Sequence, residues 1–124
     1  MSMKQENRPI LSKHCFGTLW VKNVDLLTDM AACEQKVSEL IVRHGAHQLG
    51  STTHTFENGS FTLLLSLSES HISIHTWPEH KNVQLDVFLC SYLEDNSKKC
   101  QKIFDEICQY FKPTRTETQS VMRA

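Results

Sequence analysis

Apolar positions return along this chain with two different periods, and the alternation of those periods lays out its elements. From Asp25 onward Leu26, Leu27, Met30, Cys33, Val37, Leu40 and Ile41 recur at steps of three and four residues, the spacing of one helical face. Asp25 is placed to cap that helix and Gly45 to stop it. A second helical stripe, Cys100, Ile103, Phe104, Ile107, Cys108 and Phe111, runs through Asn96–Phe111, with Ser97 or Asp95 as cap and Pro113 as terminator. Elsewhere the period is two. His14–Val21 has the aromatic and β-branched content of a strand, weakened by Gly17. Further strands are predicted over Ala46–Phe56, Ser60–Leu67, His71–Trp77 and Val83–Cys90, with Glu57-Asn58-Gly59 as a turn and a loop at Pro78. Thr114–Val121 alternates weakly, as an edge strand does.

Strands grouped together with few helices predict an α+β fold: a mostly antiparallel sheet with two helices on one face, summarised as β-α-β-β-β-α-β. Two helices cover only one side of such a sheet. The other side is expected to be covered by a second copy, so the sandwich is completed by dimerisation. Residues 1–12 are polar, contain Pro9 and show no period, and read as a flexible arm; residues 13–124 read as a single domain.

Composition narrows the partners. The 124 residues carry 13 Lys and Arg against 14 Asp and Glu, a net charge of −1, so no overall field draws the chain to nucleic acid or to an anionic membrane. Phe61–Leu67, the longest nearly apolar run, is far too short to span a bilayer, and the polar start has no apolar signal region. The expected setting is cytoplasmic and the expected partners are a small-molecule substrate and a second copy of the chain. Five scattered cysteines with no C-x-x-C pair predict neither a disulfide framework nor a zinc site. Cys15, Cys33, Cys100 and Cys108 read as small buried hydrophobes.

Cys90 is set apart by its surroundings. In Ser70-His71-Ile72-Ser73-Ile74-His75 the isoleucines alternate with titratable groups, and Val83, Leu85, Val87 and Leu89 form the apolar face of the next strand. Matching those faces pairs Ile72 with Leu89 and Ile74 with Val87, which sets Cys90 opposite His71 and Asp86 opposite His75. Ser70, His71, His75, Asp86 and Cys90 then form one polar cluster on the face away from the helices. Several chemistries fit such a cluster. His71 and His75 with Cys90 or His54 admit a metal, although the spacing is no recognised zinc pattern, and no metal is expected. His75 beside Asp86 admits a hydrolase base, although no G-x-S-x-G elbow surrounds Ser70.

The run ESHISIHTWPE followed by DVFLC, with twenty residues from Ser70 to Cys90, resembles the prokaryotic-type S-adenosylmethionine decarboxylases. Lys13-His14 and Thr53-His54-Thr55-Phe56 extend the likeness to roughly Lys13–Phe111. The resemblance implies cleavage between Glu69 and Ser70 and conversion of Ser70 into a covalent pyruvoyl cofactor. It implies that His75 assists processing, that Cys90 donates the proton in decarboxylation, that Phe56 walls the adenine and that Glu79 takes the ribose hydroxyls. It also places the active site at a dimer interface. The residue types suit the tasks: a serine hydroxyl can attack the preceding carbonyl, a histidine has the pKa of a base at neutral pH, and a thiol can reprotonate a carbanion-like centre. A pyruvoyl group forms a Schiff base with a substrate amine and acts as electron sink in place of pyridoxal phosphate.

Between Phe56 and Ser68 the sequence ENGSFTLLLSLS departs from the family, which has a proline and a small-residue stretch there. Thr62 stands where a processing-assisting serine is expected, with Ser60 as competitor. Phe61 and Leu63 are bulky for the pocket. Two alternatives to S-adenosylmethionine decarboxylation therefore stand: a pyruvoyl-dependent arginine or ornithine decarboxylase on the same fold, and a non-catalytic regulatory paralogue.

Overall fold

A computed structural model describes residues 10–124, so most of the expected N-terminal arm, residues 1–9, lies outside the described residues. The elements run β1 (Ser12–Trp20), α1 (Met30–Arg43), β2 (Gln48–Thr55), β3 (Phe61–Leu67), β4 (Ser70–Trp77), β5 (Asn82–Leu89), α2 (Ser97–Phe111) and β6 (Arg115–Arg123). The α+β class with both helices on one face of an antiparallel sheet is as expected. All four strands expected between the helices form, so the full order is β-α-β-β-β-β-α-β, one strand more than the shorthand. All strands join one sheet in the order β2-β3-β4-β5-β1-β6, and every pairing is antiparallel.

The first helix starts later than its apolar pattern suggests. Val24–Leu27 forms a 3₁₀ turn capped by Asn23, and Asp29, not Asp25, caps α1 by accepting the Ala32 N–H at 3.1 Å. Leu27 is buried all the same, so the stripe is continuous while the backbone is not. Past Arg43 the chain turns at Gly45, whose φ of +70° suits glycine.

One core lies between the helices and the sheet. From α1 come Cys33, Val37, Leu40 and Ile41, and from α2 come Cys100, Ile103, Phe104, Ile107 and Phe111. They meet Phe61, Leu63, Leu65, Ile72, Ile74, Val83, Leu85 and Val87 from the sheet. Each of the Val, Leu, Ile and Phe side chains contributes about 1.5–3 kcal/mol by leaving water. Burial pushes the Cys15, Cys33 and Cys108 thiols up to about 12, as befits packing cysteines. Gly17 has a lateral reason: a Cβ there would collide with the β6 backbone at Glu117 and Thr118, so glycine lets β6 close against β1.

The opposite sheet face is left open. It carries His14, Phe16, His71, Ser73, His75, Asp86 and Phe88, with Leu64 and Val121 about two-fifths exposed. No helix among the described residues is long and apolar enough to cross a membrane.

Candidate active site

Strands β4 and β5 are joined by a single 3₁₀ turn, Pro78–His80, closed by Lys81 at φ +53°. This tight turn brings Asn82 opposite Trp77 and sets the register: Ile72 pairs with Val87, Ile74 with Leu85, His71 with Phe88, Ser73 with Asp86 and His75 with Gln84. The register expected from the sequence is thus corrected by a slip of two. Apolar alternation is unchanged by a two-residue slip, so it does not choose between registers, and the turn decides.

The polar cluster expected on the open face consequently separates into three parts. At one end of β4 stand Ser70 and Cys90. A two-residue turn, Ser68-Glu69, links β3 to β4, and Glu69 takes φ +57°, a left-handed conformation uncommon for a residue with a side chain. Ser70 follows it as the first residue of β4, on the side of Ile72 and Ile74 by alternation. Cys90 lies one residue beyond the end of β5, and its backbone N–H donates to Ser70 Oγ at 2.9 Å. Glu69, Ser70 and Cys90 share a cleft of about 520 Å³ with His47, Tyr92, Leu93 and Lys99 among its walls.

In the middle of the open face, Asp86 accepts from His14 Nε2 at 3.0 Å and from Ser73 Oγ at 3.4 Å. The His71 ring lies 5.6 Å from Phe88 and 6.3 Å from His14. Burial first, and the neighbouring His14 second, hold His71 below the usual histidine value of 6.5. Asp86 therefore partners His14 and Ser73, not His75.

At the far end of β4 are the remaining expected residues. His75 Nδ1 is 3.0 Å from Thr62 Oγ1 across the β3–β4 ladder. Phe56, half exposed at the end of β2, meets the His54 ring at 4.5 Å. Glu79, in the 3₁₀ turn, accepts from Asn58 Nδ2 at 2.7 Å. Ser60 Oγ is spent on Asn58 Oδ1 at 2.7 Å, which leaves Thr62 as the hydroxyl beside His75. His75 is five residues from Ser70 along an extended strand, roughly 16 Å at about 3.3 Å per residue. Among the described residues no group of three or more His, Cys, Asp or Glu is placed to hold a metal.

The sequence reading passed over Asn58, which holds Glu79, and Asn96, whose side-chain amide donates to the Cys90 carbonyl at 2.9 Å. Asn58 was visible only as a turn residue and Asn96 only as the start of a helix.

The S-adenosylmethionine decarboxylase family model matches residues 13–124. The chain is 39% identical over 98 residues to the S-adenosylmethionine decarboxylase proenzyme of a Synechococcus species, covering 79% of this chain and 77% of that one. It is 34% identical over 113 residues to the proenzyme of the same description from Methanococcus maripaludis, covering 91% and 89%. Its fold superposes on the crystal structure of the adenosylmethionine decarboxylase from Aquifex aeolicus with a TM-score of 0.83, at 26% identity, over 94% of this chain and 93% of that one.

Proposed function

The chain belongs to the S-adenosylmethionine decarboxylase family, and on that footing we propose that it cuts itself between Glu69 and Ser70 and turns Ser70 into a covalent pyruvoyl group. It is a carboxy-lyase proenzyme, and its substrate is S-adenosylmethionine, whose decarboxylation makes the aminopropyl donor for spermidine. Arginine, ornithine and a purely regulatory role are not favoured by these relatives.

One observation carries the assignment of the cleavage site. The peptide bond to be cut follows a residue held at φ +57°, and the hydroxyl that would attack it already accepts the Cys90 N–H at 2.9 Å. That donor orients Ser70 Oγ while leaving its own proton free to be removed. In the first step Ser70 Oγ bonds to the Glu69 carbonyl carbon and the Glu69–Ser70 C–N bond breaks, the nitrogen taking the hydroxyl proton. Removal of the Ser70 α-proton then expels Glu69 as a carboxylate, and water replaces the nitrogen as ammonia. The backbone strain at Glu69 is relieved by the cut, which favours the forward direction. When formed, the pyruvoyl group supplies the sink for the electron pair left by carbon dioxide. Cys90, at the same cleft, is the group to return a proton to the substrate carbon.

The base is harder to place within one chain. His75, Thr62, Phe56 and Glu79 gather at one end of the β3–β4 hairpin and Ser70 and Cys90 at the other. Pairing two copies about a two-fold axis that runs across the strands would set the His75 end of one copy against the Ser70 end of the other, and give two complete sites. The half-exposed apolar side chains of that face, Leu64, Val121 and Trp77 among them, support a partner there. The dimer, like the roles of Ser70, His75, Cys90, Phe56 and Glu79, is part of the proposal.

Intact mass under denaturing conditions tests it. Wild-type protein is expected as two chains, residues 1–69 and 70–124, the second blocked at its N-terminus, and Ser70→Ala as one chain. A wild-type protein that stays whole after prolonged incubation rejects the reading.

A further inference from the structure

We propose that Asn96 is a positioning residue for Cys90, holding its backbone so that the thiol is aimed into the Ser70 cleft. The inference rests on the reading of Ser70 and Cys90 above and extends it to a side chain at the wall of the same cleft that acts through the Cys90 backbone.

Asn96 occupies the N-cap position of α2. An asparagine there ordinarily accepts a backbone N–H from the first turn, a contact worth about 1 kcal/mol. Asn96 makes no such bond. Its amide points away from the helix, and Nδ2 donates to the Cys90 carbonyl at 2.9 Å. The neighbouring Asp95 takes over part of the capping by accepting the Ser97 N–H at 2.9 Å, and that bond holds the Asp95 carboxyl below its usual range. The side chain best placed to stabilise the helix is thus spent on Cys90.

Cys90 needs an anchor because it lies just past the end of β5, where ladder hydrogen bonds no longer fix the chain. Its two flanking peptide planes are each held by one side chain. On the N-terminal side its N–H donates to Ser70 Oγ, and on the C-terminal side its carbonyl accepts from Asn96. With both planes held in the uncleaved chain, φ and ψ are set and the Cα–Cβ direction follows, although the thiol itself makes no hydrogen bond among the described residues; once Ser70 Oγ has left with Glu69, the Asn96 bond is the one of the two that remains. Asn96 is in turn tied down: its own N–H donates to Ser91 Oγ at 3.0 Å, and the Ser91 N–H donates to the buried Ser12 Oγ at 2.9 Å. Ser12, Ser91, Asn96, Cys90 and Ser70 form one clasp from β1 to β4. The loop it closes carries Leu93 almost fully exposed at its tip, so little apolar packing substitutes for the clasp.

Two variants separate this role from helix capping. Asn96→Asp is isosteric and Asn96→Ser compact, and both residues are good N-caps. Neither offers the amide donor to Cys90, since aspartate presents only acceptors and serine is too short to span the gap. In the processed full-length protein each variant is expected to lower kcat about tenfold to a hundredfold, with KM for S-adenosylmethionine within about twofold. In residue-resolved hydrogen exchange of the uncleaved chain, kept whole by His75→Ala so that Ser70 Oγ is still present, the Cys90 amide is expected to exchange at least about tenfold faster when either variant is added, with Ile74 and Leu85 unchanged. Wild-type kcat in both variants overturns the inference, whether or not exchange accelerates. Unchanged Cys90 exchange overturns it as well. If wild-type protein releases no carbon dioxide, it is the reading of Ser70 and Cys90 that falls, and Cys90 exchange alone then decides whether Asn96 holds the loop.

Discussion

The Thr62 hydroxyl lies 3.0 Å from Nδ1 of His75, directly across the β3–β4 ladder. For His75 to accept a proton at Nε2, its Nδ1 must carry the ring hydrogen, and a hydroxyl oxygen at Nδ1 stabilises that tautomer. Thr62→Val keeps the shape and removes the acceptor. Self-cleavage, followed on denaturing gels, is expected to slow about tenfold in Thr62→Val and to stay near wild type in Thr62→Ser. A Thr62→Val protein that matures at the wild-type rate removes Thr62 from processing.

The separation of His75 from Ser70 makes a sharper test possible. If the base comes from a second copy, Ser70→Ala and His75→Ala chains mixed in one dimer form one intact site, composed of Ser70 from one and His75 from the other. Each variant alone is expected to stay whole. Co-expression is expected to restore cleavage of the His75→Ala chain to roughly a quarter of the wild-type total, because random pairing makes about half the dimers mixed and each has one site of two. No cleavage in the mixture would mean that His75 does not act across two copies, whereas cleavage of the His75→Ala chain on its own would point to another base, and His47, which lines the same cleft, is then the residue to substitute.

How far these features were legible in the sequence depended on what the physics leaves degenerate. Helical stripes such as Cys100, Ile103, Phe104, Ile107 and Phe111 announce themselves because 3.6-residue periodicity has no competing explanation over that length. The β4–β5 register did not, since every two-residue slip keeps Ile72 and Ile74 against apolar partners; only the left-handed Lys81 selects one, and a lysine gives no warning of φ +53°. That slip moved Asp86 from His75 to Ser73 and dissolved the single cluster. The start of α1 was misplaced for a similar reason: Leu26 and Leu27 fit the stripe equally well from a 3₁₀ turn. The site residues themselves came from the motif around Ser70, because the pairing of Ser70 with Cys90 depends on a loop whose geometry no periodicity encodes.

Substrate choice is expected to reside at the Phe56 end of the hairpin. S-adenosylmethionine brings a flat adenine and ribose hydroxyls, and a half-exposed Phe56 with the Glu79 carboxylate oriented by Asn58 offers a wall and an acceptor. Phe56→Ala is expected to raise KM for S-adenosylmethionine about tenfold, with kcat changed far less, as for loss of uniform binding. Asn58→Ala, which frees Glu79, is expected to raise it by less. Carbon dioxide release from carboxyl-labelled arginine or ornithine in preference to S-adenosylmethionine would reverse the substrate assignment and leave the cleavage chemistry untouched.

The open face also predicts a pH response with a definite sign. His71 is held below the ordinary histidine value, chiefly by burial and then by the neighbouring His14, with Asp86 opposing and Arg123 adding to the effect. A histidine with a lowered folded value resists protonation when folded. As pH falls through about 6.5 the unfolded chain takes up a proton that the folded chain refuses, so stability drops from there down to the folded value and changes no further below it. Above 6.5 both states are neutral and His71 contributes no slope. Because His71 is exposed in the single chain, the effect there is small. Covering the open face with a second copy removes water from the same ring and enlarges the penalty. The dimer is therefore expected to dissociate more readily at pH 5.5 than at pH 7, and His71→Gln, neutral at both, to flatten that dependence. Sedimentation equilibrium of wild type and His71→Gln at the two pH values checks it; identical pH dependence in the two proteins would take His71 out of the interface.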